Sequence, residues 1–207
     1  MTDDASVFER HYRDYLKQIA EIDLSRRTSV LGAEMRGERM ILPLLGIRYR
    51  VSGTAMADET GRRPSYAICV VLAKYVLECP LTEPIINTEW ASYRDFKDAA
   101  PLVTYFTNDV EQALTRRFTG KTTELRAACR AAGGAEADLD VAYDVAMGFE
   151  ALPRVPMLLL FNDADEDFPA KCSVLFQRSV EKFLDMESVA VLGKLLADLL
   201  IQREETR

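Results

Sequence analysis

The feature that most constrains the fold is residues 153–176, where two apolar segments flank an acidic turn. Residues 157–161 form a short continuous apolar run bounded by turn residues, which is typical of a buried strand. A second apolar patch, residues 174–176, follows the turn. The pattern predicts a core strand that delivers several carboxylates to one point on the protein surface.

The acidic turn contains four carboxylates followed by an aromatic residue: Asp163, Asp165, Glu166, Asp167 and Phe168. Its D-x-D-x-D spacing opens a calcium loop, but such a loop needs glycine at its sixth position and glutamate at its twelfth. Here those positions are Phe168 and Val174, which excludes an EF-hand. We therefore assign no metal site. The favoured interpretation is a solvated turn that ends a strand, with the five residues as the candidate contact surface for a ligand or partner. The alternatives are a weaker hard-cation site and a carboxylate-centred enzyme site using a bound cation or acid–base chemistry.

The rest of the chain alternates irregularly between helical and strand patterns. Helical spacing of apolar residues predicts helices over residues 5–22, 65–78 and 122–132, and a long amphipathic helix at the C-terminus. Asn108 and Glu111 resemble a capping box that starts a further helix. Alternation predicts a strand over residues 141–149 and a hairpin or a bent strand at Gly46, with Pro43 at a sheet edge or a bulge. These patterns favour an α+β fold, with a mostly antiparallel sheet of about four or five strands packed with helices.

Composition limits the class of protein. A length of 207 residues predicts a single globular domain over residues 1–207. The net charge of -7 disfavours nucleic acid as a partner, and no apolar run approaches the roughly 20 residues that span a bilayer. No two of the four cysteines form a C-x-x-C pair, and no secretory signal is apparent, so we expect reduced thiols in a cytoplasmic protein.

Catalytic motifs are scarce. The single histidine, His11, lies beside the apolar face of the first predicted helix, and neither a G-x-G-x-x-G nor a P-loop sequence occurs. Trp90, Tyr93 and Phe96 could form an aromatic ligand surface, although packing at a strand-to-helix corner is the favoured interpretation. Gly133 with Gly134 is interpreted as a helix stop. No catalytic residue is predicted, and any cofactor, like the oligomeric state, is left undefined.

Several of these segments resemble a known family. The proline-led apolar strand, the acidic turn continuing into Pro169 and Ala170, and the apolar patch after it are similar to the C-terminal signature of Domain of Unknown Function 3786. Further similar pieces are Gly46 with Tyr49-Arg50-Val51, the segment Trp90-Ala91-Ser92-Tyr93-Arg94, and Ala132-Gly133-Gly134. The resemblance covers most of the chain and is most specific over residues 161–176.

The resemblance implies a metabolic context but no catalysed reaction. Members of this family are uncharacterised and occur in bacteria and archaea, many of them anaerobes, and some carry an added cysteine-rich iron–sulfur segment. This chain lacks that cysteine spacing, so cluster binding does not carry over. The expectation is a non-catalytic accessory or binding domain of cytoplasmic anaerobic metabolism, with a protein partner from corrinoid or iron–sulfur chemistry. The alternatives are a carboxylate-centred or metal-dependent enzyme and a structural oligomer.

Overall fold

The computed structural model describes residues 2–205, and the fold is α+β as predicted. The α-helices in that range are α1 (Thr2–Ala20), α2 (Thr28–Leu31), α3 (Tyr66–Leu77), α4 (Val103–Phe106), α5 (Gln112–Phe118), α6 (Thr122–Ala131) and α7 (Met186–Glu205). The strands there are β1 (Glu34–Arg36), β2 (Arg39–Leu44), β3 (Ile47–Val51), β4 (Met56–Ala57), β5 (Trp90–Ser92), β6 (Ala135–Glu136), β7 (Val145–Leu152), β8 (Val155–Asn162) and β9 (Lys171–Gln177). No described helix is long and apolar enough to cross a membrane.

The strands form two antiparallel sheets rather than one. Sheet A has the order β1-β2-β3-β4, and sheet B has the order β5-β9-β8-β7-β6. The sequence predicts the antiparallel class correctly, but it does not show that the hairpin at Gly46 belongs to a separate sheet. That separation depends on pairing between distant segments, which local periodicity does not report.

The central strand of sheet B is β8, which contains the apolar run of residues 157–161. It pairs with β7 on one side and β9 on the other, and its side chains from Val155 to Phe161 are buried except for Pro156, which is half-buried. Burial on both faces explains why this strand is a continuous apolar run rather than an alternating one. The alternation over residues 141–149 yields a strand that begins later, at Val145, and continues to Leu152.

Pro43 occupies a local edge inside sheet A. It lies in β2 opposite Arg48 of β3, whereas β1 pairs only with the stretch from Arg39 to Ile41. The side of β2 that faces β1 is therefore unpaired at Pro43, where the missing N–H of proline costs no ladder hydrogen bond.

The core is built around α7. Its Val189, Leu192, Leu196 and Leu200 side chains are buried, as the predicted stripe requires. Gly193 allows an unusually close approach to Phe106, because a Cβ atom at this position would lie 2.4 Å from the Cε2 atom of that ring. The Phe106 ring is stacked on Tyr93, with centroids 4.4 Å apart.

The helix predicted to start at Asn108 begins earlier, so the capping-box interpretation is wrong. A 3₁₀ turn over Ala100–Leu102 leads into α4, and a π-helical turn over Thr107–Glu111 joins α4 to α5. Asn108 therefore lies inside a continuous helical segment. Glu111 does not reach back to an N-cap, since its Oε1 atom accepts the backbone N–H of Val174 in β9 at 3.2 Å.

The π-helical turn and α5 together cover the part of the β9 edge that has no neighbouring strand. The short strand β5 pairs only with the last residues of β9, from Leu175 to Gln177. Before that point, the Oγ1 atom of Thr115 accepts the backbone N–H of Cys172 at 3.1 Å, and Glu111 accepts that of Val174. Helix side chains thus take the place of a missing strand and satisfy buried backbone donors.

Candidate functional site

The acidic turn follows β8 and is held by its own carboxylates. Both carboxylate oxygens of Asp163 accept the backbone N–H of Gly120, at 2.9 and 3.0 Å, and one also accepts that of Ala164. Gly120 lies just after α5 with a φ of 72°. Asp163 therefore ties the turn to the α5–α6 connection, a contact across 43 residues that the sequence does not reveal.

Asp165 stabilises the turn from within. Its Oδ1 atom accepts the backbone N–H groups of Asp167 and Phe168, at 2.8 and 2.7 Å. Glu166 and Asp167 are exposed, and Phe168 keeps 70% of its accessible surface. The five predicted site residues therefore lie together, but the Asp163 and Asp165 carboxylates are engaged by backbone donors rather than directed at one point.

A shallow cavity of about 670 Å³ lies beside this turn, lined by Asp144, Asp163, Asp165, Phe168 and Lys171 among others. The Oδ2 atom of Asp144 accepts the backbone N–H of Asp163 at 2.7 Å, so this carboxylate too has a backbone partner. Within residues 2–205, no group of three or more histidine, cysteine, aspartate or glutamate side chains is arranged to hold a metal ion.

A second and larger concavity lies where the two sheets meet, and we call it the inter-sheet groove. Its volume is about 700 Å³. It is lined by the β2–β3 turn at Leu45 and Gly46, the end of α6 at Ala132 and Gly133, strand residues including Phe149 and Pro156, and Trp90. These segments are far apart in the sequence. Four of them, at Gly46, Trp90, Gly133 and Pro156, belong to the pieces that resemble the family named above.

The Leu45–Gly46 turn binds the two sheets together at the groove. Both residues have positive φ, 48° and 78°, and connect the paired residues Leu44 and Ile47 by a two-residue loop. This φ pattern matches the type I′ turn that suits the twist of a hairpin. The backbone N–H of Leu45 donates to the carbonyl of Ala151 in β7 at 2.9 Å, which compensates the cost of a left-handed leucine.

The glycine pair shapes the opposite wall. Gly133 has a φ of 85°, and the N–H groups of Gly133 and Gly134 donate to the carbonyls of Arg130 and Cys129, as in a Schellman motif. The predicted helix stop is therefore confirmed. Gly134 has a further role, because a Cβ atom there would lie 2.7 Å from the Phe149 ring. A larger residue would push this ring, which lines the groove.

The three aromatic residues of the middle segment divide between two roles. Tyr93 and Phe96 are buried, and the Tyr93 hydroxyl donates to the carbonyl of Met186 at 2.8 Å. The favoured interpretation, packing at a corner, is confirmed for these two. Trp90 is only half-buried and lines the groove, so the ligand-surface alternative fits this one residue.

Two carboxylates lie at the groove, and they differ in their partners. Glu136 forms ion pairs with Arg126 and Arg130, at 2.6 and 2.9 Å, and the Arg126 hydrogen bond in particular lowers the pKa of this carboxyl. Glu150 is exposed and has no ion pair or hydrogen-bonded side-chain partner among the described residues. The free charge of the groove is therefore negative.

The loop that precedes the groove residue Trp90 carries exposed apolar side chains. The α3–β5 loop, residues 78–89, leads directly into Trp90, and its Glu83 pairs with Arg154 at 3.5 Å, next to the groove residue Pro153. On this loop Leu81 and Ile85 are 97% and 94% exposed. Exposed large apolar side chains beside a concave surface are typical of protein interaction sites.

The remaining reactive residues lie elsewhere. All four cysteines are buried and free, and burial raises the pKa of each thiol, which makes them poor nucleophiles. His11 is exposed, and its Nδ1 atom lies 3.0 Å from the Tyr66 hydroxyl. Neither residue type contributes to the groove or to the acidic turn.

Comparison with known proteins agrees with the resemblance seen in the sequence. The family described as Domain of unknown function (DUF3786) matches residues 23–199, so the chain belongs to this family. The match spans both sheets, the inter-sheet groove and the acidic turn. No curated protein and no solved structure matches the chain.

Proposed function

We propose that this chain is a non-catalytic binding domain whose inter-sheet groove and α3–β5 loop dock a partner protein. The observation that carries the proposal is the convergence of Gly46, Trp90, Gly133 and Pro156 on one groove. These residues come from four separate segments, all within the family match. The groove is thus the place where the scattered pieces of the family signature combine into one surface.

The lining of the groove supports binding rather than bond-making chemistry. Glycine, alanine, proline and apolar side chains dominate it, and Glu136 and Glu150 are the ionisable residues among the described ones that line it. Glu136 is occupied by two arginines. Small residues let a partner backbone approach closely, and the half-buried Trp90 offers the large amphipathic contact that protein interfaces favour.

The exposed Leu81 and Ile85 favour a protein over a small ligand, because two large apolar side chains on the loop that leads into Trp90 offer contacts outside the groove. The unpartnered Glu150 favours a neutral or basic segment of that partner. We further propose, from the family resemblance, that such a partner belongs to the corrinoid or iron–sulfur metabolism of anaerobes and that the domain acts there as an accessory subunit.

Two variants test the docking surface by partner capture from the native organism, followed by identification of the captured protein. Leu81→Asp combined with Ile85→Asp changes two almost fully exposed side chains, so folding is preserved and capture is lost. Phe168→Asp is the control, since it places one such charge on another exposed apolar residue, in the acidic turn. Capture should survive this control.

Trp90 provides the second readout, because it is the only tryptophan in the chain. Binding of the purified partner at the groove should shift its fluorescence emission. Recovery of no protein above background contradicts the proposal. Capture that is lost with Phe168→Asp and kept with the loop variant would assign the interface to the acidic turn instead.

A further inference from the structure

The outer face of sheet A gathers positive charge in an acidic protein. Arg36, Arg39, Arg48 and Arg50 surround Ile41 and, with Glu59, line a cavity of about 430 Å³ that we call the arginine basin. Four positive charges and one negative charge leave a local charge of +3, whereas the whole chain carries -7. The basin is thus opposite in sign to the rest of the molecule.

Strand register explains why these side chains share one face. Ile41 lies opposite Arg50 on β3, and Arg36 of β1 lies opposite Arg39 of β2. Because side chains alternate across a strand, Arg39 and Ile41 project to the same side, as do Arg48 and Arg50. Met40, Leu42, Tyr49 and Val51 project to the other side and are buried in the core.

This arrangement is unfavourable for an isolated sheet. Like charges directly opposite each other on neighbouring strands are destabilising, and Arg36 faces Arg39. The side chains of Arg39 and Arg48 form no hydrogen bond or ion pair with any other residue in the described part of the chain. Glu34 reaches Arg36 only at 3.8 Å, between exposed side chains. An external anion is therefore the natural partner for this cluster.

Arg50 is already fixed in place. Its Nη2 atom donates to the carbonyl of Asp58 at 2.7 Å, while its buried Nε atom has no hydrogen-bond partner. The Asp58 loop is itself held by hydrogen bonds, since the Asp58 carboxylate accepts the backbone N–H groups of Thr60 and Arg62, both at 2.9 Å. A held guanidinium loses little freedom when it binds an anion, which favours affinity.

We propose that the arginine basin binds a small, multiply charged phosphoryl compound. Planar guanidinium groups match pairs of phosphoryl oxygens, and several of them around one cavity suit a ligand with about three negative charges. Ile41 supplies an apolar surface among the arginines that line the cavity. The cavity fits a diphosphate group and lies apart from the inter-sheet groove, so the two proposals stand independently.

Isothermal titration calorimetry with inorganic pyrophosphate at low salt tests this site. We expect saturable binding that weakens at least about tenfold in the Arg39→Gln, Arg48→Gln double variant. Arg26→Gln is the control, because it removes an exposed arginine outside the basin; it should change the Kd less than about twofold. Arg48→Lys keeps the positive charge but loses the planar guanidinium that can bind two phosphoryl oxygens at once. Its Kd should therefore lie between those of the wild type and the double variant.

Three results overturn the proposal. Absence of saturable pyrophosphate binding to the wild type removes the site. Equal weakening by Arg26→Gln and the double variant shows general charge attraction. Tighter binding of citrate, or of a short oligonucleotide, assigns the basin to a carboxylate or nucleic-acid ligand. Circular dichroism of each variant confirms that the fold is retained.

Discussion

Replacement of Gly193 in α7, even by alanine, should lower the stability of the fold. In a helix interior, alanine is normally favoured over glycine by about 1 kcal/mol. Here, however, the added Cβ would lie 2.4 Å from the Cε2 atom and 3.0 Å from the Cζ atom of Phe106. Favourable contacts between carbon atoms occur at about 3.5–4.0 Å, so the overlap exceeds 1 Å.

The Phe106 ring has little room to move away. It is 1% exposed, stacked on Tyr93 at an interplanar angle of 8°, and edge-on to Phe176 with centroids 6.0 Å apart. Forcing extra atoms into a packed core costs about 1–3 kcal/mol, and the size of this overlap places Gly193→Ala in the upper half of that range. After subtracting the gain in helix propensity, we expect a net destabilisation of about 1–2 kcal/mol.

Urea unfolding followed by circular dichroism and by Trp90 fluorescence measures this change. Gly148→Ala is the control, since its Cβ would meet its nearest neighbour at 3.9 Å, an ordinary contact, and its stability should be close to that of the wild type. Phe106→Leu should relieve the clash, so the double variant should be more stable than the two single effects predict. If Gly193→Ala is as stable as the wild type, or if its effect is strictly additive with that of Phe106→Leu, then the Phe106 ring does not restrict position 193.

Three further predictions follow from named contacts. Asp185 accepts the N–H of Ser188 at the start of α7 and pairs with Lys74; burial would raise its pKa, but these hydrogen bonds outweigh burial and lower it. The pKa of Asp185 is lower in the folded than in the unfolded state, so its carboxylate stabilises the fold above about pH 4 and this contribution is lost as the pH falls. Asp185→Asn should therefore lower the free energy of unfolding by about 0.5–1 kcal/mol at pH 7. Urea titrations should show a smaller difference at acid pH. Tyr75→Phe should cost about 1–3 kcal/mol in the same assay, since the buried hydroxyl donates to the Leu31 carbonyl and accepts the Arg154 N–H. Mg²⁺, Ca²⁺, Mn²⁺ and Zn²⁺ should leave the melting temperature unchanged because backbone groups engage the Asp163 carboxylate; a shift that Asp163→Ala abolishes would favour the carboxylate-centred alternative.

Local patterns predict the elements that bury one continuous stripe or run. The α7 stripe, the β8 run and the helix stop at Gly133 all depend on neighbouring residues, and each is confirmed. The capping box at Asn108 fails because a preceding 3₁₀ turn starts the helix earlier. Nothing within four residues of Asn108 reports that upstream start.

The candidate site is less predictable than the fold because distant segments form it. Gly46 and Trp90 are each visible in the sequence, but only the packing of sheet A against sheet B brings them to one groove. The acidic turn shows the reverse case. Its composition is conspicuous in the sequence, yet in the structure the Asp163 and Asp165 carboxylates accept hydrogen bonds from backbone N–H groups. The unusual acidic composition thus marks only a local turn, whereas the glycines at positions 46 and 133 mark the inter-sheet groove.

The covered edge of β9 affects the tendency of this protein to self-associate at high concentration. Where β5 stops, only Glu111 and Thr115 occupy the N–H groups that another chain could otherwise pair with. Opening of this one helical segment would uncover the edge while the rest of the molecule stays folded. The rate of self-association should therefore follow the frequency of that local opening, rather than the global stability of the fold.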